Sequence, residues 1–356
     1  MKPRLAEAIE NMKRHNAGVM SRECFGFEPE VPYDALVVAT SWKPDKIILD
    51  PSFTVTQLTQ HAYFSGFLVE KDGLRIAWAQ TASGACNVLD HVFICAELTF
   101  RKMIFAGAVG GLTADFPVGR LCTPEVCFQG SYAGAYLEKK LSAFTPYRPV
   151  CPPDRAYVDR VVDLGQRLGH EIKRGKVFCT DSIALEYAHL DEIKATGAEL
   201  IEMETALFYR LADLFEVPAV ALLAVSDNSA TGVPLLGRQE PSMDYRRARG
   251  WAIPDLIYHI AKGDELHAAD RTYYGVREGH RGLPAGVFGY RGLHGRLRVP
   301  APVRHRPGVD REVPGRKGPE ERARGPGPGH PVHLRPGGGR PGGGHAADPA
   351  LFQRVS

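Results

Sequence analysis

Long apolar stretches are missing. No run in these 356 residues approaches the roughly 18 needed to cross a bilayer, and Met1-Lys2-Pro3-Arg4 leads into a mixed helix instead of an apolar signal core. The chain therefore reads as cytoplasmic, with no membrane partner. Paired cysteine motifs are missing as well. The seven cysteines, at 24, 86, 95, 122, 127, 151 and 179, are odd in number, include no Cys-x-x-Cys and sit among apolar neighbours. Reduced thiols are expected, not disulfides or a zinc site. An excess of one charge is lacking too: 44 basic against 41 acidic residues leave +3, which gives no sign of a nucleic-acid partner. No internal repeat is visible.

What is present alternates between two periods. Ala35–Thr40 is a buried-type strand, and Tyr63–Glu70 with Leu74–Gln80 forms a hairpin turning at Lys71-Asp72-Gly73. Ser83-Gly84-Ala85 is a loop of small residues before a helix from about Asn87 to Leu98; it suits either close approach to an anion or a plain tight turn. Met103–Ala106 is a short strand entering the Gly-rich turn Gly107–Leu112, followed by a strand over Leu121–Phe128. Asp154 heads an amphipathic helix to Leu168. Lys176–Thr180 is a strand, Asp181–Ile183 a loop, and a last helix runs from about Met243 to Ala261. The alternation predicts one α/β domain over residues 34–262, three layers around a central mixed β-sheet. Residues 1–33, with Leu5, Ile9 and Met12 on one helical face, form an N-terminal extension that packs on the domain or on a neighbouring subunit. Residues 263–356 turn to Gly, Pro, Arg and His. Such a segment buries too little apolar surface to offset chain entropy, so it reads as a disordered, dispensable tail, with a shifted reading frame as one origin and an RNA-binding arm as the competing reading.

The chemistry concentrates in one stretch. Glu202-Met203-Glu204-Thr205-Ala206 precedes a helix whose apolar residues Ala206, Leu207, Leu211, Leu214 and Phe215 recur at helical spacing. Val217-Pro218 ends it. Ala219–Val225 is a continuous apolar run, as expected of a parallel strand covered on both faces. Asp227 then falls just past the carboxyl end of a central strand, where open α/β sheets bind ligands. Taken alone, Glu204 is equally a helix N-terminal acid and Asp227 a loop cap. The pairing favours a site.

These two motifs, together with Gly107-Ala108-Val109-Gly110-Gly111-Leu112, resemble the purine nucleoside phosphorylase and uridine phosphorylase superfamily, which includes the methylthioadenosine and futalosine nucleosidases. The resemblance covers about residues 34–261. It implies that Glu204 bonds the ribose hydroxyls, that Met203 lies against the sugar, and that Asp227 protonates or hydrogen-bonds a purine N7. The remaining contact residues it suggests are Glu202, Ser226, Gly84, Gly107 and Ala108, with Ile183 where the base-stacking aromatic falls and Arg238 beyond Asp227. It implies a homo-oligomer acting on a small-molecule nucleoside, no metal or organic cofactor, and phosphate as a possible co-substrate.

The chain departs from that pattern on the nucleophile side. The phosphorylases' Gly-Asp-Pro-x-Arg loop is replaced by Thr40-Ser41-Trp42-Lys43-Pro44, and the phosphate-binding arginine and serine positions hold Phe105 and Ala108. Lys43, Lys46 or a neighbouring subunit's arginine would have to substitute. The nucleosidases' water-activating glutamate after the first strand is also absent. The leading expectation is phosphorolytic cleavage of a purine-type N-glycosidic bond; hydrolysis without phosphate and a non-catalytic nucleoside sensor are the alternatives.

Overall fold

Strands that are apolar at successive positions need cover on both faces, and that requirement sets the architecture. The computed structural model describes residues 1–266 except 17, 236 and 238–240, all within one compact unit. In chain order the strands are β1 (Pro32–Tyr33), β2 (Ala35–Thr40), β3 (Thr54–Gln57), β4 (Ser65–Lys71), β5 (Leu74–Thr81), β6 (Thr99–Phe100), β7 (Met103–Gly111), β8 (Leu121–Gln129), β9 (Arg148–Val150), β10 (Ile172–Cys179), β11 (Leu200–Glu202) and β12 (Ala219–Asn228). The helices are α1 (Pro3–His15), α2 (Met20–Phe25), α3 (Pro44–Ile47), α4 (Ala85–Ile94), α5 (Arg155–Arg167), α6 (Leu190–Ala195), α7 (Thr205–Phe215), α8 (Met243–Arg247) and α9 (Ile253–Lys262).

On β12, Ala219, Ala221, Leu223 and Val225 pack into one core with α4 and α7. Val220, Leu222 and Ala224 pack into another with α5 and α9. β2 divides the same way. A period of two on the strands thus produces three layers, as the sequence predicts.

The main sheet runs β11-β10-β8-β12-β7-β2-β5-β4-β3, with β9 alongside β8. β11 also turns back to pair antiparallel with β7, Leu200 opposite Gly111 and Ile201 opposite Gly110. Five strands therefore close into a barrel, and β2, β5, β4 and β3 continue from β7 as an open sheet. β5, β2, β7 and β12 are mutually parallel, so their carboxyl ends share one edge.

Closure explains why the Gly-rich run is not the turn the sequence suggests. β7 continues as strand through Gly111 because its glycines let three chains crowd together. A Cβ on Gly110 would lie 3.0 Å from Asp227 Oδ2 and 3.1 Å from Ile201 Cγ2; one on Gly111 would lie 2.4 Å from Asn228 Nδ2. Other boundaries shift less. α4 begins at Ala85, and β10 begins at Ile172. A π-helical turn, Ala248–Ala252, joins α8 to α9. α7 ends with Glu216 in the left-handed conformation, φ 59°, just ahead of Val217-Pro218.

The N-terminal segment is built into the domain: Leu5, Ile9, Phe25 and Phe27 share the core of α4 and α7, and Lys2 N donates to Leu214 O at 2.8 Å. Met12 is half-buried. At the other end Glu265 is buried against Lys102, Oε1 to Nζ 2.5 Å. The Gly/Pro/Arg tail beyond Leu266 lies outside the described residues.

Candidate active site

The turn between β11 and α7 holds two carboxyl groups, Glu202 and Glu204, that could each cap the helix, and the structure divides their work. Glu202 does the capping. Its Oε2 accepts from Glu204 N (2.6 Å) and Thr205 N (2.9 Å), and its Oε1 accepts from the Thr205 hydroxyl (2.8 Å) and the Cys179 thiol (2.7 Å). Both oxygens are thereby engaged within the protein, so Glu202 holds the turn in place. Glu204 stands at the N-cap position of α7 yet makes no side-chain cap to it. Its carboxyl reaches away, and Oε1 accepts from Gly84 N at 2.5 Å at the start of α4. Glu204 is 4% exposed. Burial first, and the neighbouring Glu202 carboxylate second, push it up to about 8, while the bond from Gly84 pulls the other way.

The end of β12 repeats this division of labour. A bulge follows Val225, after which Asp227 pairs with Gly110. Asn228 takes the loop-building role: its Nδ2 donates to Thr113 O (2.7 Å) and Phe116 O (2.8 Å), and its Oδ1 accepts from Thr231 N (3.0 Å). Asp227, half-buried, accepts from the Ser226 hydroxyl at 2.6 Å and lies against the bare backbone of Gly110. Asp227 and β11, the strand leading into the Glu204 turn, therefore both pair with the carboxyl-terminal end of β7, in which Ala108 is half-buried. Met203, also half-buried, sits on the turn beside Glu204.

A third carboxyl belongs to this edge and was not read from the sequence. Thr180, just after β10, donates its N–H to Glu202 O at 2.7 Å, which ties the following loop to the Glu202–Glu204 turn. Thr180 Oγ1 accepts from Ser182 N at 3.2 Å, and Glu186 N returns to Ser182 O at 3.1 Å. The loop so folded sets half-buried Glu186 in the field of Asp227. Burial first and Asp227 second push Glu186 up to about 7. Ile183 is on the same loop, 37% exposed. Tyr187, 50% exposed, is raised by burial and by both carboxyls. It therefore lies within electrostatic reach of Asp227. Only a long-range pairing of two loops could reveal Glu186 and Tyr187; no local motif marks them.

The nucleophile side is sparser. Phe105 is buried in the core, its ring 5.5 Å from that of Phe208. Trp42 is 3% exposed, and its carbonyl accepts from Trp78 Nε1 at 3.0 Å. Ser41, at φ 60°, presents its hydroxyl to that of Ser83 at 3.2 Å, next to Gly84. Lys43 is half-buried on the same loop, whereas Lys46 pairs with Asp45 at 3.2 Å. Arg238 lies outside the described residues. A separate cavity of 620 Å³, lined in part by Arg120, His170, Arg247 and Trp251, contains none of these groups. Among the described residues, no cluster of His, Cys, Asp and Glu is placed to hold a metal ion, and no helix is long and apolar enough to cross a membrane.

The barrel with its open sheet extension and the carboxylates at its strand ends define a class. A family model of the phosphorylase superfamily matches residues 53–243, more than half of the 356 residues. The chain belongs to that superfamily and is an enzyme of the nucleoside phosphorylase type. The match includes Gly84, the glycines of β7, Glu204 and Asp227, and begins beyond the divergent Thr40–Pro44 loop.

Among relatives, the purine nucleoside phosphorylase DeoD-type of Listeria welshimeri is 29% identical over 168 residues, which is 47% of this chain and 70% of the relative. The proteins of the same description from Anoxybacillus flavithermus and Geobacillus stearothermophilus are 25% and 24% identical over 168 residues, each covering 47% of this chain and 69% of the relative.

Proposed function

We propose that this protein cleaves the N-glycosidic bond of a purine-type nucleoside, with phosphate as the acceptor of the ribosyl group and no metal or organic cofactor. The observation that carries this reading is the placement of two carboxyls at neighbouring strand ends: Glu204, which leaves the cap of α7 to Glu202 and reaches Gly84 N, and Asp227, which lies against Gly110 while Asn228 builds the following loop.

Bond cleavage builds positive charge on the sugar and negative charge on the base. Glu204 accepts from the ribose hydroxyls and holds the sugar, with the Met203 side chain against it. Asp227, steadied by the Ser226 hydroxyl, hydrogen-bonds or protonates N7 of the departing purine. Gly107 and Ala108 leave the strand edge open to the sugar. The ring of Tyr187, with Ile183, covers the base.

For phosphate, the groups on hand are Lys43 and the paired hydroxyls of Ser41 and Ser83 beside Gly84, with arginines of a neighbouring subunit completing the set in a homo-oligomer. The exposed Tyr132, Tyr136 and Leu141 on one segment suit such an assembly in the cytoplasm.

A second reading, hydrolysis, is favoured by one observation: the core position of Phe105 puts no arginine where the nucleophile enters. Incubating adenosine, inosine, guanosine and methylthioadenosine with and without phosphate, and following free base, separates the two. Release that requires phosphate and yields ribose 1-phosphate supports phosphorolysis. Equal release without it refutes phosphorolysis in favour of hydrolysis, and binding with no release makes the protein a sensor.

A further inference from the structure

Two carboxyl groups, Asp227 and Glu186, follow strand ends on one edge of the barrel, where Cys179 pairs with Glu202 and both Ile201 and Asp227 pair with Gly110, and recognition of N7 uses only one. Glu186 comes from the loop after β10 and Asp227 from the end of β12, brought together by barrel closure. On the edge of a purine next to N7 lies the 6-substituent, which is a hydrogen-bond donor when it is an amino group and an acceptor when it is a carbonyl oxygen; N7 is an acceptor in both cases. A carboxylate complements the amino group, and a protonated carboxyl complements the carbonyl.

Resting on the reading that a purine lies against Asp227, we propose that Glu186 sets the base specificity of this enzyme. Its carboxyl meets the 6-substituent, selecting 6-aminopurine nucleosides when ionised and 6-oxopurine nucleosides when protonated. The arrangement is anchored. Thr180 N on Glu202 O and Glu186 N on Ser182 O fix the loop to the turn that carries Glu204, so Glu186 is placed by the same scaffold as the sugar-binding group.

The position of Glu186 near 7 puts its ionisation within the working range. Among the described residues, the groups acting on it are Asp227 across from it on β12 and Tyr187 beside it on the same turn. Farther along that segment His189 faces Glu192 at 3.6 Å. At the loop's start Asp181 accepts from Tyr132 N at 3.1 Å.

The test is the ratio of kcat/KM for adenosine to that for inosine, measured on the full chain between about pH 6 and about pH 8. The ratio is expected to rise roughly tenfold across that interval. Glu186→Gln should flatten it and Glu186→Asp should retain the slope, with thermal melts confirming that both variants are folded. A flat ratio in the wild type, or the same slope in Glu186→Gln, overturns the proposal.

Absence of release from every nucleoside defeats the catalytic reading instead. In that case calorimetric affinities for adenine and hypoxanthine over the same pH range supply the ratio without turnover. Dependence that vanishes in Glu186→Gln supports the assignment, and its persistence there, or its absence in the wild type, rejects it.

Discussion

Replacing Glu204 by glutamine should make the protein more stable in alkali while removing its grip on the sugar. The side chain is 4% exposed, and its pKa moves from 4.5 to about 8 on folding, first because burial disfavours the charge and then because of Glu202. Between those two values the folded protein keeps a proton that the unfolded chain has lost, so stability falls as pH rises from the lower value and levels off above the upper one. At about 1.4 kcal/mol per pH interval of one, the ceiling is about 5 kcal/mol.

Reorganisation of the surroundings around the buried charge lowers that ceiling. About 2 kcal/mol is therefore the expected gain for the variant at high pH relative to low. The amide of Glu204→Gln keeps an oxygen for Gly84 N, so the turn persists while the charge does not.

Urea denaturation of both proteins at about pH 5.5 and about pH 8 gives the comparison. Groups that titrate identically in the two, Glu186 among them, drop out of the difference. Wild type should lose about 2 kcal/mol more than the variant on going to the higher pH. Parallel behaviour would refute the assignment of a buried, proton-holding Glu204. The variant should also bind nucleoside more weakly, although it is the more stable protein.

Three further outcomes follow from the same geometry. Asp227→Asn should lower turnover by about 10²-fold or more with little change in KM; steady-state kinetics showing unchanged turnover would remove Asp227 as the acid. Gly110→Ala places a methyl group 3.0 Å from Asp227 Oδ2 and 3.1 Å from Ile201, so it should cost about 1–3 kcal/mol and displace Asp227. A variant as stable and active as the parent would contradict the close approach of β7, β11 and β12. Glu265→Gln leaves Lys102, 3% exposed and also bonded to Ile260 O, without its anionic partner, at a cost of about 3–5 kcal/mol. Lys102→Met combined with Glu265→Leu should recover most of that loss in a denaturation experiment, and failure to do so would mean that the pair does more than neutralise charge.

Much of this protein was determined by local sequence. The unbroken apolar runs Ala35–Ala39 and Ala219–Val225 dictated strands covered on both faces, and the spacing of Ala206, Leu207, Leu211 and Phe215 dictated α7, because side-chain patterning is a property of a few consecutive residues. The same locality made Glu204 and Asp227 stand out, one before a helix and one after a buried strand.

Tertiary structure alone decided what the carboxyls do. Glu202 and Glu204 are chemically the same residue two positions apart, and only the approach of Gly84 and Cys179 sets one against the start of α4 and the other on the helix cap. The glycines of β7 read as a turn because glycine frees the backbone; the barrel instead uses them for their missing Cβ. Glu186 and Tyr187 carry no motif at all. Their meeting with Asp227 depends on β11 returning to β7, a long-range pairing that no local pattern encodes.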